Sequence, residues 1–577
     1  MKLSYKHLIL FLALGLSACK GDDPEVVYGP GVDGSATQTE SSSTSSSLTT
    51  FSVAIDRDTA EPSTVVAEEF FRETDSLDLA NDPFTTVVNV NFNGSTATVD
   101  AVEGIAVTTN GAHVLVNHGT LENVSYHLSG TTSQGSFTVC GERKYELVLA
   151  GTNITNPDSA AINLLNSKRA FVVLADGSQN VLRDGTNPLT DYKGTFYCKG
   201  KIIFNGNGRL DVYGNYNNAI HSADYIVFRS GNNIYAQSSA NNGIKANDGI
   251  IINGGIINVE VSATAGKGIN CENVIKVNGG RTTVVTTGDG EYDATEGDTN
   301  ASVAVKCDSL FLMKGGELFL KSTGKGGKAL KSDTEGYITG GTVRAITEGG
   351  VYSYGNLSSS PNAIKMGTKG VGGNLTVMGG DVMVRTAGTK GEGLESKGTL
   401  TISGGSVKVY AYDDGLNSAG DMNIAGGTIV CVGRNSDGLD SNGNLYISGG
   451  NIVAYGANGA ESGIDVGERY AMYVTGGSFM SIGGKTDVSV GSTTQGLATY
   501  SGSFTSGASA RITDSTGSTA YAYFSMPPVS ASGTALVSCP NMVSGTSYKV
   551  YMGSSSTTVT ATNSISGSMG GGGGPRR

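Results

Sequence analysis

Tryptophan is absent from this chain, and no histidine follows His221. Without Trp, any flat platform for stacking sugar rings has to come from Tyr. Without later His, and with no CxxC spacing, the repeats offer no set of ligands for zinc. Basic residues are also few, 39 against 51 acidic, which leaves a net charge of -12. With no basic arm or helix to offset it, that balance excludes nucleic acid as a partner. No run after residue 19 is apolar enough to span a bilayer as a helix. Proline is scarce, 11 residues, whereas glycine numbers 86. Glycine without a collagen period, among short Val, Ile and Thr runs, implies many tight turns in an all-β chain. Six cysteines follow Cys19, at 140, 198, 271, 307, 431 and 539. Three of them stand where other repeats carry Ser, Ala or Val, so they read as small buried residues rather than a disulfide framework.

The first 19 residues read as an export segment. Lys2 and Lys6 precede an apolar run from Leu8 to Leu16, and Ser17-Ala18-Cys19 follows. A small residue before Cys at the end of such a run resembles the lipobox of bacterial lipoproteins, and the run is too short for a transmembrane helix. This implies lipidation of Cys19 and attachment to a membrane through lipid alone. Lys20-Gly21-Asp22-Asp23 is similar to the acidic signal of Bacteroidetes surface lipoproteins, which implies an outer-membrane, surface-exposed location. Residues 20–50, rich in Ser and Thr, read as a flexible tether. Residues 51–86 read as an N-terminal cap or linker, 487–560 as a C-terminal β cap where the repeat is lost, and 561–577 as a Gly-rich disordered tail.

Between the caps, residues 87–486 repeat. Gly-Gly pairs recur from Gly254-Gly255 to Gly476-Gly477, with weaker marks from Gly206. The base spacing is 22 to 25 residues, stretched to 36 and 39 by inserts. One such unit is too small to bury its own apolar face, so copies must stack. Leu400-Thr401-Ile402 and Leu445-Tyr446-Ile447 alternate with the strand period of two, and the LxxLxLxxN pattern of leucine-rich repeats is missing. About a dozen coils of a parallel β-helix, two or three short strands each, fit this pattern.

Stacking turns sequence register into ladders. The residue after the repeat's Leu or Ile reads His221, Lys245, Asn270, Lys306, Lys331, Lys365, Glu395, Asn417, Asp440, Asp465. A second row, Glu392, Asp414, Asp437 and Ser462, precedes the repeat's Gly. Carboxylates one coil apart are about 5 Å from one another and repel. Ca²⁺, which takes six to eight oxygens, suits Glu392, Glu395, Asp413, Asp414, Asn417, Asp437, Asp440, Glu461 and Asp465. Asp289 and Asp293, in the insert after Gly288, form a further candidate site or a polar loop. Lys245, Lys306, Lys331 and Lys365 read either as solubility and edge protection or as partners for the carboxylates of an acidic polysaccharide. Tyr410, Tyr412, Tyr455 and Tyr473 read either as a sugar platform or as ordinary strand residues.

The motifs LVLAGTNITNPDSAAI, YDDGLNSAGDMNIAGG and SDGLDSNGNLYISGG resemble the calcium-binding, β-helical carbohydrate-binding domain family of clostridial cellulose and polygalacturonate binders. The resemblance runs from about Val87 to Gly553. It implies a right-handed parallel β-helix, bound Ca²⁺, and affinity for polygalacturonate or cellulose. Lysines in place of acidic residues in the first coils depart from that pattern.

An enzyme of pectin-like substrates is a competing reading. The RxPxxR run of lyases is absent, and Asp413-Asp414 stands without the other elements of a polygalacturonase. Asp414, Asp437 and Asp440 are then the carboxylates to test. A surface adhesin or spacer is the third reading. The expectation is a monomeric, non-catalytic, calcium-dependent binder of acidic or plant-cell-wall polysaccharide.

Overall fold

Each repeat hydrogen-bonds to the next, and that is how the 22 to 25 residue period becomes a structure. The computed structural model describes residues 48–565 except 64, 65, 78, 80–83, 101, 190 and 487. The export segment with Cys19, nearly all of the 20–50 tether and the tail from 566 lie outside the described residues. One repeat supplies three strands, Leu416–Ser418, Met422–Ile424 and Thr428–Gly433. The first joins a 15-stranded sheet and the other two join a 29-stranded one. Each pairs in parallel with the same strand of the neighbouring repeats. The fold is nearly all-β with long parallel sheets, consistent with a β-helix or solenoid-like arrangement.

Period-two alternation builds the interior. Ser406–Ala411 buries every second residue, Val407, Val409 and Ala411, and one apolar cluster runs from Val88 to Leu536 through all the repeats. Every aliphatic side chain so buried contributes about 1.5–3 kcal/mol. The two glycines of the Gly-Gly mark answer two separate demands. Gly450 has φ +87°, a backbone that L side chains rarely adopt. A Cβ on Gly449 would lie 2.2 Å from the Ala425 carbonyl oxygen of the coil beneath.

Ahead of the first Gly-Gly marks, Ala112–Asn117, Gly135–Cys140, Ile162–Leu164 and Gly194–Cys198 already belong to the 15-stranded ladder. The inserts that stretch the period are antiparallel hairpins. Glu291–Asp293 pairs with Asp298–Asn300, and Tyr352–Tyr354 pairs with Leu357–Ser359. Their Tyr292 and Tyr354 rings stack at 4.2 Å. At the C-terminal end, Ala531–Ser538 pairs antiparallel with Met472–Gly483 and closes the parallel edge. A four-stranded antiparallel sheet over 509–560 follows, and Val432, Val453, Tyr455, Met480 and Ile482 share its core.

The segment after residue 50, expected as an N-terminal cap or linker, is held to the coils by ion pairs and apolar contacts. Its one regular element among the described residues is a 3-10 turn, Glu73–Asp75, and it lies along the flank of the coils. Glu69 pairs with Lys276 and Lys314, Glu68 with Arg229, and fully buried Asp75 with Arg169. Phe70, Phe71, Leu77 and Leu79 pack on Phe171, Ile203, Val227 and Ile251. Tyr225–Phe228 and Gly249–Ile252 are therefore buried on both faces, so apolar residues that point away from the helix interior find their cover in this segment.

Candidate functional site

The row that follows the repeat's Leu or Ile is continuous. His221, Lys245, Asn270, Lys306, Lys331, Lys365, Glu395, Asn417, Asp440 and Asp465 are neighbours, strand by strand, along the 15-stranded sheet. Its basic part is neutralised within the protein. Lys245 meets Glu272 at 2.8 Å, Lys331 meets Asp333, Lys306 meets Asp308 and Asp333, and Lys365 meets Glu395 at 2.6 Å. The four lysines expected to meet a glycan thus have carboxylate partners, supplied by turns two residues later or by the next coil. His221 is buried with one ring nitrogen unpartnered. Burial, and then Lys245, lower its pKa to about 4.

The acidic part of the row divides in two. Glu395 is 1% exposed. Burial acts to raise its pKa, yet Lys365 and Lys397 hold it below the usual carboxylate range. Glu392 beside it is pushed well up by burial and by Glu395. No Lys or Arg side chain among the described residues forms an ion pair with Asp414, Asp437 or Asp440. Burial comes first in raising Asp437 to about 8, followed by Asp465 and Asp414. Burial followed by Asp414 and Asp465 raises Asp440 to about 7. Asp413, Asp414 and Asp465 also lie above their ordinary value, burial first. Glu461 adds negative charge to each of these five aspartates.

Each coil's carboxylate reaches the next. Asp414 Oδ1 accepts the Asp437 amide at 3.0 Å, and Asp437 Oδ1 accepts the Ser462 amide at 2.6 Å. Asn417 Nδ2 donates to Asp414 Oδ2 at 3.3 Å. The Ser462 hydroxyl at the end of this row is buried with no partner. The remaining donors are hard oxygens of carboxylate, amide and hydroxyl, which fit Ca²⁺ and not a soft metal. A ready cage is absent, however: no group of three His, Cys, Asp or Glu side chains among the described residues is close enough to hold a metal ion. Half of each carboxylate in the Asp414–Asp437 row serves backbone amides, so the expected full set of ligands does not converge.

Other candidates fall elsewhere. Asp293 accepts the amides of Thr295 and Glu296, which is turn chemistry in the first insert, and Asp289 accepts the Lys325 amide of the next coil. Tyr455 is 2% exposed beneath the C-terminal sheet; it has no face to offer a sugar. Tyr410 and Tyr412 lie under the Arg434 guanidinium, 4.9 and 5.3 Å from their centroids. Tyr473 stacks at 5.1 Å on Tyr446, which is 38% exposed. The sequence reading passed over Tyr446, although Leu445-Tyr446-Ile447 places it on the outward face. It also passed over Lys267 and Lys328, whose pKa values burial lowers first, to about 8 and about 7. Their ammonium groups fix the hairpin bases through Asn300 and Ser359. The six cysteines are free thiols, five of them buried.

Comparison with known proteins bears on this arrangement. Among curated proteins, a carbohydrate-binding domain-containing protein of Acetivibrio thermocellus is 35% identical over 115 residues, 18% of this chain and 40% of the relative. The match thus spans less than half of that relative's length. Among solved structures, the polysaccharide lyase-like protein from C. thermocellum, as a gadolinium derivative, is 23% identical, with 53% of this chain and 98% of that chain covered and a TM-score of 0.33. A profile described as carbohydrate-binding domain-containing protein matches residues 110–297 and 234–438. These ranges cover more than half of the chain, and the protein belongs to the family of carbohydrate-binding domain-containing proteins.

Proposed function

We propose that this protein binds an acidic, pectin-like polysaccharide in a calcium-dependent manner and does not cut it. The observation that carries the reading is the stack of Asp414, Asp437 and Asp440, raised in pKa and without an ion pair among the described residues, beside a Glu395 that has two. Asp414, Asp437, Asp440 and Asp465, with Asn417 and the Ser462 hydroxyl, would hold the ion by drawing together from the present arrangement, in which no three acidic side chains of the described residues lie close enough to do so. Bound Ca²⁺ supplies positive charge and open coordination positions for sugar carboxylates. Around it, the protein's own part is to hold these oxygens at one-coil spacing on paired strands. Tyr446 and Tyr473 offer an outward aromatic pair on the same coils. A right-handed parallel β-helix, the hand of nearly all parallel crossovers, completes the fold proposal. A monomer anchored to the outer membrane through lipid at Cys19 and exposed at the cell surface completes the cellular one.

A second reading draws on the same carboxylates. Groups raised to about 7 and 8 are suited to general acid work near neutral pH. Incubation with polygalacturonate, followed by assays for unsaturated products and new reducing ends, separates the two. Binding without either product supports the proposal; turnover that is lost in Asp437→Asn overturns it.

A further inference from the structure

At the opposite end of the repeats, the flanking segment and the turns of the first coils enclose a cleft of about 580 Å³. Ligand sites span about 300–1,000 Å³. Among the described residues, six basic side chains and three acidic ones line the cleft, in a protein whose net charge is -12. Three of the basic groups are engaged: Arg143 with Glu122 at 3.4 Å, Lys201 with Asp224 at 2.6 Å, and Arg169 with Asp75. Arg72 and Lys168 are exposed and form no ion pair among the described residues. An excess of basic over acidic side chains along a concave wall favours an approaching anion.

The rim is held in place from beneath. Asn166 is 2% exposed; its Nδ2 donates to the Arg143 carbonyl at 2.7 Å, and its Oδ1 accepts the Lys168 amide at 2.7 Å. His118, also buried, lies 3.3 Å from the same carbonyl. Gly141 leaves room for that ring, since a Cβ there would fall 2.2 Å from it. Two turns that carry cationic side chains therefore share one buried asparagine, and their backbone order is set before a ligand arrives. No aromatic side chain among the described residues lines the cleft, so charge and hydrogen bonding, rather than ring stacking, are what these residues offer.

We infer that this cleft binds an anionic sugar, carboxylated or sulfated, through Arg72, Lys168 and Arg143 without calcium. That the anion is a sugar rests on membership of the carbohydrate-binding family; the site is separate from the acidic coils.

The test is calorimetric titration of the chain lacking residues 1–19, in EDTA at low salt, with trigalacturonate, a sulfated disaccharide and neutral galactotriose. The charged probes are expected to bind, the tighter one identifying the anion, and the neutral probe to give no heat. Added salt weakens the binding. Arg72→Glu with Lys168→Glu is expected to weaken it about tenfold or more, whereas Lys168→Arg retains it. Asp437→Asn, at the other end, leaves it unchanged. No binding of either charged probe in EDTA, equal binding of the neutral probe, or indifference to the double substitution would overturn the inference. A calcium-dependent heat that vanishes in Asp437→Asn reports on the acidic coils alone, so the two sites succeed or fail separately.

Discussion

Asp437 gives one carboxylate oxygen to the Ser462 amide and is surrounded by negative neighbours. Its ordinary value is 3.8 and its folded value about 8, so between these limits the native state binds more protons than the unfolded one. Stability of the calcium-free protein therefore falls as pH rises from 4 to 8, each unit of the shift costing about 1.4 kcal/mol. Urea midpoints at pH 5 and pH 8 measure it. Asp437→Asn should flatten the slope in EDTA, and Ca²⁺ should raise the pH 8 midpoint in the wild type only. An unaltered slope in the variant would place the effect elsewhere. Glu395→Ala should act differently, costing about 3 kcal/mol at either pH because Lys365 and Lys397 lose their partner. At this scale the sequence was a partial guide. The register that aligns Asn417, Asp440 and Asp465 was legible because coils superpose equivalent positions. The neutralisation of Lys306 and Lys331 was not recognised, although Lys-Cys-Asp and Lys-Ser-Asp spell it two residues on. The burial of Tyr455 depends on a sheet built from residues some 50 to 100 further along the chain, which no local pattern shows.

Strands and turns set the second scale. The Gly-Gly mark was readable because a tight bend and a close approach between coils both demand glycine. Gly449→Val should remove several kcal/mol, as its side chain meets the Ala425 carbonyl with only backbone to yield; a proteolysis-resistant fold after that change would contradict the stacking. The flanking segment was read as a cap or linker, and its packing along the coils was not foreseen. Its signal was the unbroken apolar runs Tyr225–Phe228 and Gly249–Ile252, which break period-two alternation and so require cover on both faces. Asp75→Ala should cost about 3 kcal/mol, because it strips the partner from partly buried Arg169 and from Tyr225. Chemical denaturation followed by circular dichroism checks it. The hairpins at 291–300 and 352–359 lie outside the parallel ladder, so replacing the first with a plain turn of the repeat should leave the melting temperature within a few degrees.

Across the whole molecule, charge is distributed unevenly along one repeating scaffold. Early coils carry the basic cleft, middle coils pair lysines with carboxylates, and the coils from Asp414 to Asp465 accumulate negative charge, with no ion pair from a lysine or arginine to Asp414, Asp437 or Asp440 among the described residues. A solenoid permits this because each coil needs only its neighbours for stability, leaving outward rows to vary. The measurement that tests the central claim most directly is calorimetric titration of Ca²⁺ into EDTA-stripped protein lacking residues 1–50, repeated with Asp414→Ala and Asp440→Ala, with polygalacturonate added afterwards at a salt concentration that silences the basic cleft. Sub-millimolar Ca²⁺ binding is expected, weakened by either substitution, with polysaccharide heat only when Ca²⁺ is present. Absence of Ca²⁺ binding, or polysaccharide binding unchanged by EDTA and by both substitutions, would contradict it and leave the acidic rows as turn chemistry on a surface spacer.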